Sequence, residues 1–219
     1  MIVHNLKVIY FHIGKTAGTS VEKLLDNQIR NPNIADYDSF FGFDKKHNIF
    51  LQHASAEFVK NHVSNDIFDH YYKFSVVRNP FERLVSVFFY LIDQNTERFG
   101  DFDSFIHALP ELNSHNNYRK GSHFISQTQY THLDGNNICD HIAHFEYLPQ
   151  SLDQVCHDLK INNVLGHHNK DPNKKWKQVA IHEYFNKQTI KIVCDLFEQD
   201  FINFGYSFDP TNKLPEVSG

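Results

Sequence analysis

The stretch "VIYFHIGKTAGTSVEKLL", Val8 to Leu25, decides the fold. It begins within an apolar, β-branched and aromatic run, "LKVIYFHI" (Leu6–Ile13), which reads as a buried strand. Behind it, "VEKLLDNQI" reads as a helix that Thr19 or Ser20 can cap. Between the two, Gly14, Lys15, Thr16, Ala17, Gly18, Thr19 and Ser20 make a tight turn. A turn from strand to helix points several backbone N–H groups outward at the positive end of the helix dipole. Gly14, Ala17 and Gly18 are small enough for close backbone approach, Thr16, Thr19 and Ser20 add hydroxyl donors, and Lys15 adds a mobile charge. The expected ligand is an anion. A nucleotide-hydrolysing loop would read G-x-x-x-x-G-K-[ST], and Ile9 stands where its first glycine belongs.

Working outward, "YYKFSVV" (Tyr71–Val77) is another strand, stopped by Arg78-Asn79-Pro80. Pro80 suits the first turn of the helix "FERLVSVFFYLIDQ". "HNIFLQH" (His47–His53) reads as a short strand followed by a helix from Ser55 to His62, and "ICDHIAHF" as a late strand. Helical patterns follow at Phe102–Leu109, Leu148–Leu159 and Asn186–Phe204, the last stopped by Gly205. "HHNKDPNKKWKQ" (His167–Gln178) is a basic loop. Strands alternating with helices predict an α/β fold, with a P-loop-like, mainly parallel sheet flanked by helices on both faces. Ligands in such sheets lie beyond the carboxyl ends of the strands, where the Lys15 turn, His53 and Arg78 all fall.

Length and composition bound the answer. A chain of 219 residues, 41% hydrophobic with 21 Phe and 10 Tyr, is expected to form a single domain over residues 1–219. A net charge of −5 argues against nucleic acid as a partner, so local basic groups must hold any anion. The apolar run Val87–Ile92 is far too short for a membrane span, and with a strand expected to begin by about Lys7 no signal peptide is expected. With three widely spaced cysteines expected to be reduced, the chain is expected to be cytoplasmic. Sixteen histidines raise a metal question, but His141 with His144 and His167 with His168 lack the Cys or carboxylate company of a zinc site. No metal is expected.

The residue after the Tyr71–Val77 strand is Arg78, where a nucleotide hydrolase would place an Asp for magnesium. Arg78 with Ser86 on the following helix suits a second phosphate, bound without metal. Arg83 lies three residues before Ser86 on the same helical face, and either reaches a substrate or pairs within the helix.

Phe11 to Ser20, "FHIGKTAGTS", resembles the 5′-phosphosulfate loop of sulfotransferases, in the branch of carbohydrate sulfotransferases such as heparan sulfate 2-O-sulfotransferase. Arg78 to Ser86, "RNPFERLVS", resembles that branch's 3′-phosphate motif, R-[ND]-P-x-x-R-x-x-S. Phe145-Glu146, His168-Asn169-Lys170 and "FEQDFINFGY" (Phe197–Tyr206) match later signatures, so the resemblance spans nearly the whole chain in order. Ala17 departs from it, standing where the family often has Gly.

The resemblance implies a PAPS-dependent enzyme, moving a sulfuryl group from 3′-phosphoadenosine 5′-phosphosulfate to a hydroxyl, expected to be that of a glycan acceptor. Gly14 to Ser20 would hold the 5′-phosphosulfate, and Arg78 with Ser86 the 3′-phosphate. Lys15 would stabilise the leaving phosphate, and His53 is the position matching the family's base. His12 is the rival base, and belongs to the loop pattern. His123, in "SHFISQTQY", is a third candidate for the base and is expected rather to contact acceptor. The basic segment from Lys170 to Lys177, with Trp176 in it, reads as a solvated loop, or as one that closes over the 3′-phosphate or attracts an acidic acceptor. Two alternatives stay open: a small-molecule P-loop kinase, and a non-catalytic module of the same fold that binds nucleotide or glycan.

Overall fold

A computed structural model describes residues 1–26, 28, 30–93, 99–114, 123–165 and 179–212. The first half runs β1 (Ile2–Val3), β2 (Val8–Phe11), α1 (Gly18–Leu25), β3 (Phe43–Asp44), β4 (Ile49–Phe50), α2 (Ala56–His62), α3 (Asn65–His70), β5 (Tyr72–Val77) and α4 (Pro80–Asp93). The second runs α5 (Phe102–Ser114), α6 (Thr128–Thr131), β6 (His132–Leu133), β7 (Asn136–Asn137), β8 (His141–His144), α7 (Asp153–Leu159), α8 (Lys187–Leu196) and α9 (Glu198–Phe204). The main sheet has the order β1-β2-β5-β8. β2, β5 and β8 are mutually parallel, and the short β1 adds an antiparallel edge. The expected mainly parallel sheet is present.

Side-chain alternation along the strands explains the layers. Val8, Tyr10, Phe74, Val76 and Ala143 point to one face, where Val21 and Leu25 of α1 and Val155 and Cys156 of α7 cover them. Ile9, Phe11 and Val77 point to the other, under Phe81, Leu84, Val85 and Phe88 of α4 and aromatic residues of α5 and α9. Helices therefore cover both faces, as the alternation of strands and helices predicts. The second face is rich in rings: Phe81 packs against Phe185 and Phe201 at centroid distances of 5.0 and 5.2 Å. Phe81 is fully buried, so truncating it would cost about 3–5 kcal/mol.

One expected strand is corrected. "HNIFLQH" does not enter the main sheet. Only Ile49–Phe50 is extended, and it pairs antiparallel with Phe43–Asp44, with the Phe43 and Phe50 rings 5.0 Å apart. Leu51–His53 then coils into a single 3₁₀ turn. The cross-strand aromatic pair and the left-handed turn at Asn48 (φ 54°) favour a local hairpin over a long-range ladder. The C-terminal helix is also divided. Asn186 and Thr189 form a reciprocal cap at the start of α8, the helix breaks at Phe197, and Gly205 (φ 70°) ends α9.

The cap expected at Thr19 or Ser20 does not form. Helix α1 starts at Gly18, and Ala17 precedes it in the left-handed region (φ 67°) with no side-chain cap. A Cβ there costs about 1–2 kcal/mol, part of which glycine's extra unfolded-state freedom offsets. Ala17→Gly is therefore expected to stabilise the protein by about 1 kcal/mol, raising Tm by about 2–4 °C in a scanning calorimeter. An unchanged or lower Tm would contradict that account of the turn.

Candidate functional site

The carboxyl ends of β2, β5 and β8 deliver three segments to one edge: the turn from His12 to Ala17, the Arg78-Asn79 corner, and Phe145–Tyr147. Lys15 and Ala17 both hold positive φ (70° and 67°), which curls the first segment. Two glycines there make room for rings. A Cβ on Gly18 would lie 1.8 Å from His12 Nε2, and one on Gly14 would lie 2.4 Å from His123 Nδ1. The Thr16 hydroxyl is buried and donates to Ile13 O at 2.8 Å, so it shapes the turn from within. Thr19 is exposed and Ser20 buried in the first turn of α1. The Lys15 ammonium sits 4.1 Å over the Tyr90 ring of α4.

The turn is tied to the residues expected to work with it. His53 reaches it from the 3₁₀ turn rather than from a strand end, with Nδ1 2.9 Å from His12 O. A carbonyl only accepts, so Nδ1 carries the proton and Nε2 keeps its lone pair in the neutral ring. The His53 ring lies 4.2 Å from that of His12 and 6.2 Å from that of His123. His12 Nδ1 lies 2.7 Å from Glu22 Oε1. Burial pushes the Glu22 carboxyl up, but the hydrogen bond and charge of His12 prevail and leave it below its usual range. His12 is thus tied to α1 through Glu22.

Burial, reinforced by the charge of His12, holds His53 well below its ordinary pKa even though the bond to the His12 carbonyl works the other way. His123 is pushed down to about 3, by burial first and then by Arg83 and Lys15. Its Nδ1 is buried with no hydrogen-bond partner among the described residues. Both rings are therefore neutral in the folded protein at neutral pH. An unfolded histidine titrates near 6.5, so below that pH the unfolded chain takes up protons that the folded site refuses. Stability is then lost as pH falls, by up to about 1.4 kcal/mol per pH unit for each ring. Urea midpoints measured between pH 7 and pH 5 should fall, and fall less steeply in His123→Gln. Equal slopes in the two proteins would contradict a neutral His123.

Arg78 is buried, with NH2 on Glu82 Oε2 at 3.1 Å, NH1 on Lys15 O at 3.4 Å, and the guanidinium 4.2 Å over the Phe145 ring. Its Nε has no hydrogen-bond partner among the described residues. Such a group is suited to receiving an anion. The neighbouring Asn79 caps α4, its Oδ1 accepting from Phe81 N at 3.0 Å, while its own N–H donates to Glu146 Oε1 at 2.7 Å. Tyr206 OH donates to the other oxygen of Glu146 at 2.9 Å. Phe145, Glu146 and Tyr206, three residues of the late signatures, thus brace the corner.

Arg83 turns inward, and among the described residues it makes no ion pair within its helix. It is 1% exposed, and its guanidinium donates to Gly14 O (3.2 Å), His123 O (3.2 Å) and Ile125 O (3.1 Å). It fastens the turn to the 123–125 segment, which explains why an arginine rather than a lysine stands there: one planar fork serves three carbonyls. Ser86 is buried on α4, two turns beyond Arg78. Lys170, Trp176 and the rest of the 166–178 stretch lie outside the described residues. Among the described residues, no group of three or more His, Cys, Asp or Glu could hold a metal ion, and no helix is long and apolar enough to cross a membrane.

Comparison with known proteins bears on this geometry. A curated relative, carbohydrate sulfotransferase 10 of Xenopus laevis, is 27% identical over 173 residues, 64% of this chain and 48% of the relative. The chain spans about half the length of the curated relative that it matches. No solved structure matches the chain. A family model described as "Sulfotransferase family" matches residues 1–207, taking in the turn, the Arg78 corner and the Glu146–Tyr206 brace. This chain belongs to the sulfotransferase family.

Proposed function

We propose that this chain transfers a sulfuryl group from 3′-phosphoadenosine 5′-phosphosulfate to a hydroxyl of a carbohydrate. One observation carries the proposal: Arg78 and His53 each donate a hydrogen bond to a carbonyl of the same turn, Lys15 O at 3.4 Å and His12 O at 2.9 Å. The groups for the donor's two anionic ends and for deprotonating the acceptor are thus mechanically one unit.

In this assignment the turn amides, Lys15, Thr19 and Ser20 face the 5′-phosphosulfate, and Arg78 with Ser86 takes the 3′-phosphate. Thr16 contributes its backbone N–H, since its hydroxyl is committed to Ile13 O. The acceptor oxygen attacks sulfur in line with the bridging oxygen of the phosphosulfate. Its proton passes to His53 Nε2 as the new O–S bond forms. The old S–O bond breaks, and Lys15 with the turn amides stabilises the charge left on the 5′-phosphate. His123, beside His53 and edge-on to Tyr90 at 5.3 Å, lines the acceptor side.

Thermal-shift titration tests the donor. In EDTA, 3′-phosphoadenosine 5′-phosphate is expected to raise Tm, because a ligand bound only by the native state stabilises it. ATP with magnesium is expected to do far less, and the reverse order would favour a kinase. Radiolabelled sulfate transfer to a glycan panel then tests turnover. Donor binding without transfer to any acceptor would leave a binding module.

A further inference from the structure

At the Arg78 corner the sheet has run out. β2 ends at Phe11, opposite Ser75, and β8 ends at His144, opposite Val77. Arg78 is the first residue beyond the ladder, yet it is buried, so its peptide N–H and C=O need partners from elsewhere. Gln127, which is fully buried, supplies both. Its Oε1 accepts from Arg78 N at 2.9 Å, and its Nε2 donates to Arg78 O at 2.8 Å. The side-chain amide stands in for one more residue of a neighbouring strand.

Gln127 is itself held. Asp200 of α9, also fully buried, accepts from Gln127 N at 2.9 Å and from Thr128 N and Thr128 Oγ1, each at 2.9 Å, as well as from Ser126 Oγ. One carboxylate thus collects the free donors at the start of α6 and fixes the direction in which Gln127 leaves the backbone. The chain of contacts runs from Asp200 to Gln127 to the Arg78 peptide, 73 and then 49 residues away in sequence.

We propose that Gln127, locked by Asp200, is a positioning residue that sets the Arg78 guanidinium for recognition of the donor's 3′-phosphate. This rests on assigning the 3′-phosphate to Arg78. A guanidinium recognises a phosphate through a fixed fork, so a small rotation of its peptide costs selectivity for that phosphate more than general nucleotide affinity.

Calorimetric affinities for 3′-phosphoadenosine 5′-phosphate and for adenosine 5′-phosphate define a ratio that reports the 3′-phosphate alone. Arg78→Ala should lower this ratio at least tenfold, weakening 3′-phosphoadenosine 5′-phosphate much more than adenosine 5′-phosphate. An unaltered ratio there would sink the assignment of Arg78 itself. Gln127→Met, which keeps volume and removes both hydrogen bonds, should also lower the ratio about tenfold. Gln127→Glu, which still accepts from Arg78 N, should fall between it and the wild type. If Arg78→Ala collapses the ratio while a folded Gln127→Met retains it, or weakens both nucleotides equally, the positioning role is wrong. Should the methionine variant not fold, Asp200→Asn carries the same test. It keeps the side-chain shape while turning acceptor oxygen into a donor that faces the N–H groups, and the same ratio decides.

Discussion

Lys15→Ala is expected to lower turnover by a factor of about 10² or more while weakening donor binding far less, as loss of a group that acts mainly in the transition state does. The structure shows where the ammonium waits: 4.1 Å over the Tyr90 ring. A cation–π contact at such a half-exposed ring is worth about 0.5–1 kcal/mol, whereas a hydrogen bond from an ammonium to an anion is worth about 1.5–3 kcal/mol. In the proposed complex a phosphosulfate would outcompete the ring for the ammonium, and the gain would grow as charge builds on the leaving phosphate. Single-turnover transfer of radiolabelled sulfate, with donor affinity measured separately, checks this. An alanine variant with near-native turnover would remove Lys15 from the chemistry.

His53→Ala should bind donor as the wild type does and lose about 10²–10⁴ in turnover, the usual worth of a positioned general base. The pH profile offers a second reading of the same group. Burial and the His12 charge hold its pKa well below the ordinary 6.5, so the His53 ring stays unprotonated as pH falls through that value. The acid limb of kcat/KM, which reports the free protein, is therefore expected below pH 6.5. A wild-type limb at or above 6.5, or an alanine variant transferring at full rate, would place the base elsewhere.

Much of this was legible in the chain, and the boundary has a physical meaning. The Val8–Leu25 unit and the Arg78–Ser86 motif are local: strand, turn and helix follow from adjacent residues, and the structure places both at the predicted edge of a mainly parallel sheet. His53 also arrives at that edge, but on a 3₁₀ turn after a hairpin, because a two-residue strand is set by its cross-strand partner and not by its own pattern. The inward turn of Arg83 was not legible because its three carbonyl partners are 40 to 69 residues away, beyond any periodicity. The Gln127–Asp200 support escaped for the same reason, since a glutamine in "SQTQY" carries no sign of the peptide it will complete. Glu146 and Tyr206 were visible as family signatures, but their joint hold on Asn79 appears only in three dimensions.

The most direct measurement is a crystal structure of the protein soaked with 3′-phosphoadenosine 5′-phosphate in the presence of EDTA. The 5′-phosphate is expected within hydrogen-bond distance of the Gly14–Ser20 amides and the Lys15 ammonium, with the 3′-phosphate on the Arg78 guanidinium and His53 Nε2 facing the open side of the 5′ end. A nucleotide bound with its 3′-phosphate turned away from Arg78, or with its 5′-phosphate remote from the turn, would contradict the account.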